Sequence, residues 1–359
     1  MAYAYSGQFN SYVAKATGQI IAFARNPKRY KVNQYTQLVP TKTELGLYYY
    51  LHPDDFVKAG TPNEALWMDG AKRPEKTGQR IRHKTQEFQC MRYDYDFQIG
   101  WRTLQVADYK VLLANTNSAQ NECMLDWTKE VIDLGEAASN WAGNTAAATD
   151  LAGGGLWDSG TPQDPVLKKS LGQIAETITL GTNGMAADYE NEDDVGLYMV
   201  LSPTAARRIA SSPEVHAIFK ESLYAEAMLT KGSAAPGAVF QIPKKLYGFT
   251  VVVENAVIVT GNPVTAGTLA STSGSPAPRR FVKDYSSCII CSRPGGLDGE
   301  LGAPNFSTFQ RYYVDSEMQL KIFDEAKHEY TDGHINRFGV SKLAAPAAGF
   351  LVTNILAAA

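Results

Sequence analysis

Between residues 195 and 259 the apolar and polar positions fall into short runs separated by proline-marked breaks. Val195-Gly-Leu-Tyr-Met-Val-Leu201 is an apolar run that stops at Ser202-Pro203. A residue before proline is driven out of the helical region, while proline suits the first helical position, so the pattern predicts a strand handing over directly to a helix. Ser212-Pro213 repeats the device and opens a second helix through Val215, Phe219, Ser222 and Leu223. Leu246-Tyr-Gly-Phe-Thr-Val-Val-Val253, rich in β-branched and aromatic residues, predicts a further strand.

Elsewhere the periodicity changes. Met124, Trp127, Val131, Leu134, Ala138 and Trp141 recur at spacings of three and four, which puts them on one face of a helix. After a linker at Asn115-Thr-Asn117, Asn117 with Gln120 reads as its cap and Gly143-Asn144 as its end, a rod of about 36 Å and the longest helix expected. Asp164-Pro165 opens another helix with Leu167, Leu171, Ile174 and Ile178 on one face. Upstream, the Tyr-rich run Leu47 to Leu51 leads through His52-Pro53 into a polar stretch, residues 57–85, where only Leu66, Trp67 and Met68 interrupt the polarity appreciably. Strand alternation returns from Phe88 to Trp101, so the region reads as a long two-stranded extended loop. Gly153-Gly-Gly-Leu-Trp157 marks a boundary before a compact second domain, and residues 260–278 form a Gly/Ser/Thr/Pro-rich loop suited to an exposed tip. Further strands are expected at Phe281 to Cys291, Met318 to Ile322, Ile335 to Val340 and Gly349 to Val352, and no internal repeat is visible.

Composition adds limits. The 359 residues can bury a sizeable core, and 44% apolar with 20% charged residues argues against global disorder and against a coiled coil. A net charge of -3 does not describe a dedicated nucleic-acid binder. The charge is unevenly spread: residues 1–43 carry Lys15, Arg25, Lys28, Arg29, Lys31 and Lys42 with no Asp or Glu, a basic arm ahead of an acidic body. The opening Met-Ala-Tyr-Ala-Tyr-Ser-Gly lacks the leader of a secretory signal, so no export is expected. The Ala-rich tail from Ala344, broken by Pro346 and Asn354, is too short for a membrane span of ~20 residues, so no membrane partner is expected.

The candidate chemistry is thin. Cys288-Ile-Ile-Cys291 lacks two further ligands, because Cys90 and Cys123 are isolated, and residues three apart on a strand face opposite sides, so core thiols are expected in place of a metal. His328, Glu329, Asp332 and His334 match no helix-face metal pair, and Thr331-Asp-Gly333 reads as a surface hairpin turn. The acidic run Asp188 to Asp194 lacks the glycine and oxygen spacing of a helix-loop-helix calcium site, and Gly296 to Gly302 lacks the lysine of a phosphate loop. No Gly-x-Ser-x-Gly elbow occurs. No catalytic residue, cofactor site or metal site is assigned, and an enzyme would need a cluster assembled from distant segments.

Taken in order, a basic arm, a basic extended loop, one long helix, a compact α/β domain and returning strands resemble the major capsid proteins of tailed bacteriophages, the Hong Kong 97-type fold. The likeness runs from about Tyr35 to Ile355 and is greatest in Val200-Leu-Ser-Pro-Thr-Ala-Ala206 followed by Leu246 to Val253. It implies an α+β chain divided into an N-terminal arm (1–45), an extended loop (46–100), a peripheral domain with the spine helix (101–159), an axial domain (160–304) and C-terminal strands of the peripheral domain (305–359). It implies a virion shell protein, assembled in the bacterial host cytoplasm into hexamers and pentamers of an icosahedral head around double-stranded DNA. The implied partners are other copies, a separate scaffold protein, a portal and non-specifically contacted DNA, with a decoration protein left open. A long polar loop cannot stabilise itself at an ordering cost of about 1–2 kcal/mol per residue. Trp67 and Met68 are therefore expected to insert against the adjacent subunit, Arg73, Arg80 and Arg82 to pair with its carboxylates, and Arg25, Lys28, Arg29 and Lys31 of the arm to contact a neighbour. The alternatives are a bacterial nanocompartment shell of the same fold and, further off, a soluble enzyme.

Overall fold

The computed structural model describes residues 30–50, 84–106, 111–182, 184, 186, 196–221, 242–260, 279–292, 307–326 and 328–357. Two large sheets organise them. The first is formed by Thr145–Ala147 (β5), Leu197–Leu201 (β6), Lys245–Leu246 (β7), Phe249–Val253 (β8), Cys288–Ser292 (β11) and Gly349–Thr353 (β15), in the order β5-β15-β11-β6-β8-β7. β6 leads straight into α5 (Pro203–Ala210), whose first turn is capped by the Ser202 hydroxyl accepting from the Ala205 N–H at 3.2 Å. The Ser212 hydroxyl stands 3.4 Å from the Val215 N–H at the start of α6 (Pro213–Glu221). Both helices begin where the Ser-Pro pairs predict.

The sheet is buried on both faces, which is why its strands are continuous apolar runs. Along β11, Cys288 and Ile290 pack with Leu167, Leu171, Ile174 and Ile178 of α4 (Val166–Gly181), while Ile289 and Cys291 pack on the other side with Trp127, Val131 and Ile132 of a long helix. Three segments differ from the sequence reading. Leu246 to Val253 is not one strand: Tyr247 and Gly248 have φ of 50° and 81° and turn β7 back onto β8, with Leu246 opposite Phe249, the type I′ geometry of a two-residue hairpin. Phe281 to Cys291 is also broken. Its first part, β10 (Arg279–Phe281), pairs with β9 (Val257–Val259), and between β10 and β11 the buried Lys283 reaches the Glu136 carboxylate at 2.8 Å. The C-terminal strand β15 lies in this sheet between β5 and β11 instead of with the other C-terminal strands.

The second sheet is built from Thr36–Thr41 (β1), Met91–Gly100 (β4), Phe309–Val314 (β12), Gln319–Glu325 (β13) and Tyr330–Leu343 (β14). It runs β1-β12-β14-β13, with β4 on β14. Residues 91–100, read from the sequence as part of the extended loop, pair along their whole length with Tyr330 to Gly339, and residues 36–41 of the expected arm pair in parallel with β12. The expected turn at Thr331-Asp-Gly333 is strand: the chain reverses just before it, at Glu329 with φ 52°. Gly333 serves packing, since a Cβ there would lie 2.4 Å from the Phe97 ring.

After the short helix α2 (Trp101–Val106), helix α3 (Val111–Glu136) spans 26 residues, about 39 Å at 1.5 Å per residue, and packs against both sheets. It starts six residues before the expected cap at Asn117. The Asn115 amide and the Thr116 hydroxyl donate to the carbonyls of Val111 and Leu112, four residues back, so these side chains satisfy themselves inside the helix instead of ending it. It also stops earlier, at Glu136, where the side chains of Asn140 and Trp141 donate to the carbonyls of Leu134 and Gly135. Gly135 lets the helix approach closely, because a Cβ would stand 2.6 Å from Ile289 and 3.0 Å from Phe309. A one-turn helix, α1 (Val32–Tyr35), lies beside it.

Candidate intersubunit contact site

On the face of the five-stranded sheet away from α3 lies a two-stranded ribbon, β2 (Leu45–Tyr50) and β3 (Lys84–Gln89), paired from Leu45 opposite Gln89 to Tyr50 opposite Lys84. Alternation sorts its side chains. Phe88 turns inward and stacks on Tyr312 of β12 with centroids 4.4 Å apart, and Tyr48 lies 5.8 Å from the same ring. Gly46, opposite Phe88, makes this possible, since a Cβ would meet the ring at 2.6 Å. The outward face carries Leu45 and Leu47, which are 65% and 64% exposed. Together they form a small exposed apolar patch on the ribbon. Nothing in the alternation read from the sequence singled these two out, because Leu-x-Leu with inward partners looks the same.

Between α3 and the sheet sits a buried charged cluster that the sequence reading also missed. Arg337 of β14 donates through Nη2 to Glu130 at 2.9 Å, and its guanidinium lies 4.2 Å from the Tyr93 ring. Glu130 also accepts from the Ser341 N–H at 2.7 Å. The Arg311 guanidinium carbon of β12 lies over the Trp127 ring at 3.8 Å, and its Nε, Nη1 and Nη2 have no hydrogen-bond partner among the described residues. Burial, with Arg337 beside it, lowers its pKa to about 10. Charged residues at strand spacing carry no mark that tells a core arginine from a surface one.

Of the residues expected from the sequence to contact a neighbouring subunit, Lys31 alone falls within the described residues. Arg25, Lys28 and Arg29, and Trp67, Met68, Arg73, Arg80 and Arg82 of the extended loop, lie outside them, as do residues 188–194, 261–278 and 296–302. The Lys31 backbone N–H donates at 3.0 Å to Glu254, whose residue is fully buried at the end of β8. Burial raises the Glu254 pKa to about 7 against the lowering effect of backbone N–H groups at Lys31, Ala256 and Asn255.

The Cys288-Ile-Ile-Cys291 pair lies on a core strand. Cys288 and Cys291 are free, buried and on opposite faces of β11; burial pushes the Cys288 thiol up to about 12 and raises Cys291 too, the reverse of an activated thiolate. Among the described residues no group of three or more His, Cys, Asp and Glu could hold a metal ion. A notch lined by Arg92, Ser316, Gln319, Lys321 and Asn336 encloses about 30 Å³, room for a water-sized group. Among the described residues, no helix is long and apolar enough to cross a membrane.

No family model matches the chain, and no curated protein does. Solved structures do. A phage-related protein from Bordetella bronchiseptica RB50 matches over 95% of this chain and 98% of its own, with a TM-score of 0.60 at 13% identity. A virus-like particle from Pyrococcus furiosus matches over 95% and 99%, with a TM-score of 0.50 at 10% identity. At such identities the likeness is one of fold, and it extends over nearly the whole chain: spine helix, paired sheets and hairpin base together make this the Hong Kong 97-type capsid fold, of the α+β class.

Proposed function

We propose that the chain is the major capsid protein of a tailed-phage-type particle, self-assembling into hexamers and pentamers of an icosahedral head that encloses double-stranded DNA. The observation that carries the reading is the end-to-end likeness to a virus-like particle and to a phage-related protein. The outward Leu45 and Leu47 on the ribbon fit it, since they supply apolar surface for a neighbouring copy. In this reading the chain is no enzyme and works by shape. A separate scaffold and a portal direct its assembly in the host cytoplasm. Contact with DNA is electrostatic and non-specific, and the net charge of -3 keeps packaged DNA from being bound tightly, because each neutralised phosphate adds affinity.

The test is expression of the full chain followed by size-exclusion chromatography and electron microscopy. Closed megadalton shells are expected, with nuclease-protected DNA in particles from a natural host. A small soluble oligomer under all assembly conditions would sink the reading. Closed shells that hold a cargo enzyme and no nucleic acid would move the chain to the nanocompartment class.

A further inference from the structure

The five-stranded sheet ends in a long strand with a neighbour on one side. β4 pairs residue by residue with β14, from Met91 opposite Gly339 to Gly100 opposite Tyr330, while β12 and β13 take the other edge of β14. Among the described residues nothing pairs with the outer edge of β4. Over Met91–Gly100 the strand has no proline, and its pairing runs without a bulge, so it lacks two devices by which edge strands avoid pairing with another chain. The preceding ribbon does not cover this edge. Phe88 of β3 stacks on Tyr312 of β12, on the far side of β14, so the chain crosses the sheet away from it. Two apolar side chains stay open on the α3 face of the strand's first half, Met91 at 51% and Tyr93 at 39% exposure. The opposite face carries Arg92, Asp94 and Asp96 in succession, all exposed, with the Arg92 guanidinium 5.3 Å from the Phe338 ring centroid.

We propose that the outer edge of β4 docks a second copy of itself: residues Met91 to Tyr95 of two chains pair antiparallel about a two-fold axis and make one sheet through two subunits. The charges identify the occupant. A two-fold axis perpendicular to the sheet keeps like faces together, so odd residues meet odd and even meet even. Pairing Arg92 with its own copy sets two cations together. Pairing it with Asp96 sets Asp94 against Asp94, pairing it with Gln98 sets Asp94 against Asp96, and pairing it with Gly100 sets Asp96 against Asp96. Of the registers within β4 that take in Arg92, one escapes such repulsion. In it Arg92 faces Asp94 of the second copy, twice, on either side of Tyr93 facing Tyr93. Met91 then faces Tyr95, so the two open apolar side chains are covered. The charges that guard this edge against foreign strands thus select its own kind. Five residues a side is a small contact, which suits one contact among several in a larger assembly. Its place in a shell rests on the capsid reading above, whereas the pairing itself does not.

Disulfide capture in the full chain reads the register. Directly opposite residues of an antiparallel pair have Cα atoms about 4.5–5.5 Å apart, within disulfide range, and the native cysteines are buried. Tyr93→Cys is therefore expected to give a covalent dimer on mild oxidation, while Gln98→Cys, on the same strand but outside the ladder, gives little. Arg92→Asp added to Y93C is expected to lower the dimer yield about threefold or more, and Asp94→Arg to do the same. Both together should restore it, because the swap rebuilds the opposite-charge pairs; a folding defect is not rescued in this way. Because Arg337 lies against Tyr93, Y93C could fold poorly. The exposed pair Arg92→Cys with Asp94→Cys then asks the same question without touching that contact. The proposal is overturned by absence of dimer from both cysteine variants, by as much dimer from Q98C, or by a yield indifferent to the charge reversals. Shells that form without the cross-link discard the docking edge and keep the capsid reading, and cross-linked dimers from a chain that builds no shell do the reverse.

Discussion

Two arginines in one interface have opposite energetic standing. Arg337 is held by Glu130 and lies against Tyr93, whereas Arg311 has the Trp127 face and no hydrogen bond to any described group. Removing one member of a buried pair strands the other, but replacing an unpaired buried charge by a methionine of similar length relieves desolvation. Arg337→Met is thus expected to cost about 2–3 kcal/mol, reduced from the fully buried case because the Glu130 side chain is 22% exposed. Arg311→Met loses a cation–π contact worth about 1–2 kcal/mol and the field that steadies the buried Glu317 carboxylate, and recovers the desolvation cost of the guanidinium, so its stability should stay within about 1–2 kcal/mol of the wild type. Chemical denaturation of the two variants measures this contrast. A loss for R311M as large as for R337M would mean that Arg311 is needed to balance the buried Glu317 carboxylate. A buried carboxylate likewise dictates Gly160: a Cβ there would stand 2.1 Å from Glu214, which accepts from the Leu167 and Lys168 N–H groups at 3.0 and 2.9 Å and caps α4 from another helix.

Among the elements, the ribbon β2–β3 is held to the sheet chiefly by two aromatic side chains, Phe88 and Tyr48, on the Tyr312 ring. A lone two-stranded hairpin is marginal in water, and this one is tied to the sheet by Phe88 stacked on Tyr312. Phe88→Ala should cost about 3 kcal/mol or more. The loss should be local: amides of Leu45–Tyr50 lose protection in exchange measurements while α3 keeps its own. Uniform loss across both would show that the ribbon and the sheet unfold as one unit. What the sequence could tell about such elements depended on how local the signal was. Ser202 and Ser212 mark helix starts because a hydroxyl before proline has one local use. Asn115 and Thr116 misled, because the same polar groups can end a helix or bond back within it. Tyr247 hid a turn inside an apolar run, since a tyrosine at φ 50° is no turn signal. The pairing of residues 91–100 with β14, and the meeting of Lys31 with Glu254, depend on partners more than 200 positions away and leave no periodic trace. Thus the order of elements was legible, and with it the fold, whereas the contact surfaces were not.

For the whole molecule the question is what the basic residues expected in the extended loop do in the proposed shell. Residues 57–85 hold Arg73, Arg80 and Arg82 among other cations, while the chain beyond residue 43 carries 37 acidic side chains against 28 basic ones. A cationic loop beside acidic bodies gains little in an isolated chain, where exposed pairs are worth about 0.2–1 kcal/mol. In a closed shell the same contact recurs at every subunit, so small terms add over the assembly. Replacing Arg73, Arg80 and Arg82 together by serine should lower the yield of closed shells seen by electron microscopy and lower their disassembly temperature. Salt separates this from a general loss of solubility. At about 1 M ionic strength the screening length shrinks from about 8 Å to about 3 Å, so wild-type shells should lose stability towards that of the variant while the variant changes little. Equal yields of equally stable shells, or an identical salt response in both, would leave the three arginines as solubilising charges, and the apolar faces of Trp67, Met68, Leu45 and Leu47 would then have to hold the neighbours together.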